Sequence, residues 1–280
     1  PITYSLFLEE VEKLIDEGLI HDNSRILFAD DGSKDATWEI ISNLSDENDR
    51  ILGISLSRNR GHQNALLAGL MEAMPFCDIT VSMDCDGQDD IDAIDKMVDE
   101  YLSGSEIVYG VRNDRKTDTF FKRGTAHFFY KLMRGMGVDM VYNHADYRLM
   151  SRNALEGLAQ FKEVNLFLRG LVPMVGFKYS CVEYSRKERL AGKSKYPLKK
   201  MLSFAFEGIT SLSIKPIELI LRLGVIISVF GFGFLVYTLV QHLLNNTTAG
   251  WTSLIGSIWI LGGLQIVSIG VIGKYAKTAH

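Results

Sequence analysis

An α/β domain on a mostly parallel sheet, followed by two membrane-spanning helices, is what this sequence predicts. Two observations carry the prediction. Short apolar runs alternate with segments of helical periodicity as far as Val111, and the stretch from Leu223 to Gly273 contains no Asp, Glu, Lys or Arg. Alternation of strand and helix implies parallel strands covered by helices, with ligands bound beyond the strands' carboxyl ends. An uncharged stretch of that length exceeds the roughly 20 apolar residues that a membrane helix needs.

The elements follow in order. Leu6 to Ile20 places apolar residues at helical spacing with Glu and Lys between them, and Arg25 to Ala29 reads as a buried strand ending in Asp30-Asp31-Gly32-Ser33. Ile51 to Leu56 is a second strand, Gly61 to Met74 a helix and Ile79 to Met83 a third strand. Ile91 to Leu102 is then a helix and Glu106 to Val111 a fourth strand. Beyond it, Thr117 to Met136 mixes Phe and Tyr with Lys122, Arg123, Lys131 and Arg134, and Pro197 to Ser213 sets Lys199 and Lys200 beside Met201, Leu202, Phe204 and Phe206. Basic, aromatic amphipathic helices of this kind suit a membrane surface and membrane lipids, although a core-facing helix with a solvated face has the same composition.

Ile217 to Val240 and Ser253 to Gly273 read as two crossings joined by a short outer loop without charged side chains. Lys199, Lys200, Lys215 and Arg222 precede the first crossing, and Lys274 and Lys277 follow the second. By the positive-inside rule both flanks, and with them the α/β unit and both termini, are expected on the cytoplasmic side of the membrane. The domains expected are therefore residues 1–196 as the α/β unit, 197–216 as a juxtamembrane amphipathic helix and 217–280 as the two-helix anchor.

The formal net charge of −4 conceals an uneven distribution. Asp84 to Glu100 is strongly acidic, whereas Lys178 to Lys200 is strongly basic and suits anionic headgroups or a phosphate ligand. No nucleic-acid partner is expected. Cys77, Cys85 and Cys181 show no paired spacing, which fits a reducing compartment and opposes a disulfide framework or a zinc site. The start, Pro1-Ile2-Thr3-Tyr4, has the pattern of neither arm of a signal peptide.

The polar motifs occupy the strand ends. Asp84-Cys85-Asp86-Gly87-Gln88 follows the third strand, so two carboxylates and an amide stand at its tip. Mg²⁺ is usually held by one or two carboxylates while phosphate oxygens and water complete its shell, so the pair suggests a metal-bound nucleoside diphosphate. A polar loop in which Asp caps the next helix is the alternative. Asp30-Asp31-Gly32-Ser33 suits close approach to a nucleotide, and Asp-Gly is also a routine turn.

Taken with Arg58-Asn59-Arg60-Gly61-His62-Gln63, these motifs follow the order and spacing of family 2 glycosyltransferases of the GT-A fold. Asp146-Tyr147-Arg148-Leu149-Met150-Ser151-Arg152, Arg189-Leu190-Ala191-Gly192-Lys193-Ser194-Lys195-Tyr196 and the two C-terminal spans extend the match. The set resembles the polyprenyl-phosphate branch, relatives of dolichol-phosphate mannosyltransferase and of bacterial GtrB-type enzymes. The resemblance implies a metal-dependent, inverting transfer of a sugar from a UDP-sugar to undecaprenyl or another polyprenyl phosphate, for modification of cell-envelope glycans. Glucose is the preferred sugar, with UDP-N-acetylglucosamine and GDP-mannose as alternative donors.

It implies further that Asp84, Asp86 and Gln88 hold Mg²⁺ or Mn²⁺, and that Asp30, Asp31, Gly32, Ser33, Asn59 and Gly61 bind the nucleotide sugar. Arg123, Arg189, Ser194 and Lys195 are implied to bind donor or acceptor phosphates. Asp146 and Arg148 are placed at the reacting centre, where a structural ion pair at a strand edge is the alternative. A phosphate monoester has a second pKa of about 6 and is already nucleophilic, so Asp146 is cast as an orienting or charge-stabilising group. Partners implied are a homo-oligomer, a flippase and a downstream glycosyltransferase.

Three departures from the family stand out. The family's opening strand, with its Pro-x-Tyr-Asn-Glu-like end, is not in this sequence, so a chain short at its N-terminus is expected. Cys85 and Lys193 replace a usual Ala and Glu, and the ending from Lys274 to His280 is less basic than expected. A processive polysaccharide synthase shares the early motifs, but none of Trp38, Trp251 and Trp259 stands in a Gln-x-x-Arg-Trp context. A catalytically idle scaffold of the same fold is the remaining rival.

Overall fold

The computed structural model describes residues 3–113, 135, 144–161, 168–185, 215–244 and 250–278. Apart from Gly135, the two amphipathic segments lie outside the described residues, and so do Arg123, Arg189, Ser194 and Lys195. The chain divides into two compact units, Pro1–Leu132 with Asp139–Glu207, and Met133–Val138 with Gly208–His280.

In the first unit the order is α1 (Tyr4–Asp16), β1 (Ile26–Asp30), α2 (Thr37–Glu47), β2 (Ile51–Ser55) and α3 (His62–Ala73). A 3₁₀ turn at Met74–Phe76 leads to β3 (Ile79–Ser82), α4 (Ala93–Leu102), β4 (Ile107–Arg112) and β5 (His144–Ser151). α5 (Arg152–Ala159), α6 (Leu168–Met174) and β6 (Tyr179–Tyr184) complete it. The four strands and three helices read from hydrophobic periodicity all form, within a few residues of the bounds expected. α2, β5, α5, α6 and β6 are additional.

β1 and β2 pair in parallel, Ile26 opposite Ile51 and Asp30 opposite Ser55. The other strands form a four-stranded sheet in the order β3-β5-β4-β6. β4 and β6 are parallel, while β5 runs antiparallel to both of its neighbours. The sheet is therefore mostly parallel in strand direction, with one reversed strand at its interior. That reversal positions the site. Ser82 faces Arg148 across the β3–β5 ladder, and continuing the register by two residues brings Asp84 level with Asp146.

The core lies between α4 and this sheet. Ala93, Met97 and Val98 pack with Val108, Tyr147, Leu149, Val182 and Tyr184, all buried. Full burial of each large apolar side chain contributes roughly 1.5–3 kcal/mol. α1 buries Phe7 and Leu14 and is tied to α4 by Lys13, whose Nζ lies 2.8 Å from Asp95 and 3.1 Å from Glu10. Burial, reinforced by the neighbouring Asp95 carboxylate, pushes Glu10 up to about 6.

The second unit contains two long helices, α7 (Lys215–Leu243) and α8 (Trp251–Thr278). Both are long and apolar enough to cross a membrane, and they contain the two spans read from the sequence. Small residues let them approach closely. A Cβ on Gly224 would fall 3.0 Å from the Val267 backbone nitrogen, and one on Gly231 would fall 2.9 Å from Trp259. From the other side, Gly263 abuts Ser228 and Gly270 abuts Leu221. The seven-residue interval on each helix is the period of a left-handed helix pair. Outward-facing Phe230, Phe232, Leu254 and Ile272 are exposed.

Candidate active site

The first polar cluster grows from the C-terminal end of β1. Asp30 is buried and accepts hydrogen bonds from the Ser55 hydroxyl (2.8 Å) and the Ser33 backbone N–H (3.2 Å). Burial raises its pKa, but the hydrogen bonds from Ser33 and Ser55 outweigh that and hold it below the ordinary carboxylate value. Asp31 accepts from the backbone N–H groups of Arg60 (2.7 Å) and Gly61 (2.9 Å). Gly32 has φ +65°, and a Cβ there would meet the Arg58 carbonyl carbon at 2.5 Å. Only glycine lets these two loops touch. Asp30 and Asp31 thus brace their own loops against each other at this strand end, with Ser33 and Asn59 exposed and Gly61 half-buried.

The loop that Asp31 holds runs directly into α3, whose first residues turn toward β5. His62 Nε2 lies 3.4 Å from Asp146 Oδ2 and 3.7 Å from Asp84 Oδ1. Gln63 donates from Nε2 to Asp146 Oδ2 (3.4 Å) and accepts at Oε1 from the Leu168 N–H (3.1 Å), where α6 begins. Asp31 and Asp146, remote in sequence, are joined through this one helix end.

Asp146 is the hub. Arg148 Nη2 donates to it at 2.7 Å, and Arg169 of α6 donates from Nη2 at 3.1 Å and from Nε at 3.3 Å. The Ser82 hydroxyl holds the Asp146 carbonyl at 2.7 Å. Burial alone would raise the Asp146 pKa. The His62 hydrogen bond and the Arg169 and Arg148 charges override it and keep the carboxylate well below its usual range. Arg148 is almost wholly buried, and burial lowers its pKa despite the opposing pull of Asp146. The two form the ion pair that the structural alternative describes, on an interior strand of the sheet rather than at an edge.

At the tip of β3, Asp84 is half-buried. Burial raises its pKa, opposed by His62 and reinforced by Asp89, Asp146 and Asp86. Asp86 accepts from the Gln88 N–H at 3.1 Å, and Gly87 turns the chain with φ +69°. α4 begins only at Ala93, so neither Asp84 nor Asp86 caps it, which removes the capping alternative. Gln88 is buried. Among the described residues no group of three or more His, Cys, Asp or Glu side chains could hold a metal ion. Two carboxylates at one strand tip nevertheless fit a cation that takes the rest of its shell from phosphate and water.

His62 and Gln63 stand in the Arg58–Gln63 motif, which gives them no role, and Arg169 belongs to no motif. Its signal was a lone cation in the apolar run Leu166 to Val175, an arrangement that is costly unless the charge is paired. Asp89, adjacent to the tip, is buried against the Tyr184 hydroxyl and Arg112 Nη2 (3.3 Å). It anchors the acidic loop to the ends of β4 and β6. Cys77, Cys85 and Cys181 are all free thiols.

Comparison with known proteins places these features in context. Residues 5–158 match the model of a family described as Glycosyl transferase family 2. The uncharacterized glycosyltransferase YkoT of Bacillus subtilis (strain 168) is 55% identical over 274 residues, covering 96% of this chain and 80% of that protein. A prophage bactoprenol glucosyl transferase homolog of Escherichia coli (strain K12) is 38% identical over 252 residues, covering 89% of this chain and 82% of its own length. The bactoprenol glucosyl transferase of Shigella phage SfV is also 38% identical, with 89% and 81% covered. A glucosyl-3-phosphoglycerate synthase structure from Mycobacterium tuberculosis, in complex with Mn²⁺, UDP-glucose and phosphoglyceric acid, superposes with a TM-score of 0.41 at 17% identity over 66% of each chain. That likeness is too slight to carry an argument.

Proposed function

Because this chain belongs to glycosyl transferase family 2, we propose that it moves a sugar, glucose for preference, from a UDP-sugar to a polyprenyl phosphate such as undecaprenyl phosphate, with inversion at the anomeric carbon. The observation that carries this reading is the union, in one chain, of an acidic strand tip beside a doubly arginine-paired Asp146 with two helices long and apolar enough to cross a membrane. A water-soluble acceptor would need no such helices. The printed names of the relatives at 38% identity, bactoprenol glucosyl transferases, support the same acceptor class.

The acceptor phosphate, largely a dianion near neutrality, is its own nucleophile. Asp146, held ionised by His62, Arg169 and Arg148, is a poor proton acceptor and acts instead by fixing those cations around the reacting centre. Asp31 keeps the loop before α3 in place and so sets His62 and Gln63. Asp84 and Asp86 are the residues that would hold Mg²⁺ or Mn²⁺, which when bound neutralises charge on the departing diphosphate. Arg123, Arg189, Ser194 and Lys195 remain proposed phosphate ligands, with Asn59 and Ser33 bordering the nucleotide. Lysines flanking the helices favour a cytoplasmic active site.

The test is direct. Membranes containing the protein are incubated with undecaprenyl phosphate and UDP-glucose, UDP-N-acetylglucosamine or GDP-mannose, and the lipid is weighed by mass spectrometry. A sugar-phosphate lipid is the result expected, its inverted anomeric configuration read from the proton coupling constant by NMR. No lipid product from any donor would overturn the reading in favour of an idle scaffold.

A further inference from the structure

We infer that Tyr147 and Tyr184 are positioning residues that clamp the acidic tip after β3 in its cation-binding shape, an assignment that rests on the metal-dependent reading above. The tip needs a restraint. Between the end of β3 at Ser82 and the start of α4 at Ala93 the chain forms no regular element. Asp84, Asp86, Asp89 and Asp90 all stand in that stretch, and like charges drive such a loop open. Two buried hydroxyls close on it from different strands. Tyr184 of β6 donates to Asp89 Oδ1, which also accepts from Arg112 Nη2 at 3.3 Å, while Arg112 Nε donates to the Tyr184 oxygen at 3.0 Å. Tyr147 of β5 donates to the Asp90 carbonyl at 2.9 Å. Consecutive residues are thus held, one by its side chain and the next by its backbone.

The two tyrosines act as a unit. Their rings meet edge to face, with 5.2 Å between centroids and 82° between planes, although β4 runs between their strands. Gly110 of β4 permits that contact, since a Cβ there would fall 2.8 Å from Cδ1 of Tyr147. Tyr147 also lies between Asp146 and Arg148, and side chains alternate across a strand, so β5 presents the hub on one face and the clamp on the other. Any carbonyl would satisfy a buried tyrosine hydroxyl. Asp89 is a costlier choice, because its side chain is 1% exposed and its Oδ2 has no hydrogen-bond partner among the described residues. An unmatched buried oxygen opposes stability, so packing alone does not account for an acid at this point. Restraining a ligand loop before the cation arrives removes an ordering cost from binding, and groups one step removed from a metal set its affinity.

The full chain in detergent is compared with Tyr184→Phe, Tyr147→Phe and Ser151→Ala. Each phenylalanine keeps the ring and deletes one hydroxyl. Ser151→Ala removes the α5 cap, which accepts from the Ala154 N–H at the opposite end of β5, and serves as a destabilised control. UDP affinity is measured by calorimetry without metal and with Mn²⁺, and the melting temperature is followed in parallel. Each phenylalanine variant is expected to cut the Mn²⁺-dependent gain in UDP affinity about 10-fold while the metal-free affinity stays unchanged. Ser151→Ala should melt earlier and keep the full gain. If the phenylalanine variants melt earlier but keep the gain, or if Ser151→Ala loses it as they do, the tyrosines are only structural and the proposal is overturned. A parent chain with no Mn²⁺-dependent gain overturns it as well. Transfer to undecaprenyl phosphate is assayed separately: should the parent bind UDP with Mn²⁺ yet transfer nothing to the lipid, the transfer reading fails and calorimetry still decides the clamp.

Discussion

Replacing Asp146 by Asn probes the hub where fold and chemistry meet. Asp146 and Arg148 have side chains 7% and 1% exposed, so the substitution leaves a guanidinium inside the sheet without a counter-ion. Arg148 Nε and Nη1 already lack hydrogen-bond partners among the described residues, so no second group in the sheet takes up the charge. Breaking a buried pair from one side costs about 3–5 kcal/mol. The Asn oxygen still accepts one bond from Nη2, which sets the expectation at about 3 kcal/mol, the lower end of that range. Against a native stability of roughly 5–15 kcal/mol this is a large loss, and it is local to β5. Hydrogen exchange of the β5 amides, followed by mass spectrometry on the full chain in detergent, should accelerate by about two orders of magnitude. Adding Arg148→Met removes the stranded charge and should return most of the protection, because a buried pair replaced by well-packed apolar groups is often neutral. An Asp146→Asn chain whose β5 exchange moves less than about threefold, or a double variant no better than the single, would refute the reasoning.

Other perturbations test separate parts of the structure. Gly32→Ala forces a Cβ to within 2.5 Å of the Arg58 backbone at φ +65°, so it should cost about 2–4 kcal/mol and weaken UDP binding, read by thermal melting and calorimetry. Asp84→Asn with Asp86→Asn should abolish metal-dependent sugar transfer while leaving the melting temperature within a few degrees, since neither carboxylate supports α4. Because only two carboxylates are offered, Mn²⁺ should bind weakly alone and tightly with UDP, measurable by electron paramagnetic resonance. Glu10 titrates at about 6 in the fold against 4.5 unperturbed, so the folded state holds its proton more tightly than the unfolded state does. Its contribution is present below pH 4.5 and lost as pH rises through 6. Glu10→Gln should flatten that slope in denaturation curves taken between these pH values.

The parts of the fold that were legible are those decided locally. Ile51 to Leu56 and Ile79 to Met83 are short apolar runs between turn residues, and Leu6 to Ile20 has a single apolar stripe, so strand or helix follows from periodicity alone. The two apolar spans are equally unmistakable, because a run without charge has few solvents to choose from. β5 and β6 were not legible as strands. Asp146 and Arg148 interrupt β5 with charges that pair with each other, Asp146 finds its further partners His62 and Arg169 on other elements, and Glu183 interrupts β6. α2 went unmarked because its apolar face is narrow, with only Ile41 buried.

What this sequence determined by itself is the inventory, comprising an alternating α/β unit, an acidic strand tip, a glycine turn and two bilayer-length helices. The tertiary structure alone decided which of those groups meet. The reversal of β5 brings Asp84 level with Asp146, and the start of α3 delivers His62 and Gln63 to the same point. α6 adds Arg169, a residue that no motif singled out. Periodicity and composition report a residue's own environment, whereas a site is made of distances between residues far apart in the chain, and only folding sets those distances.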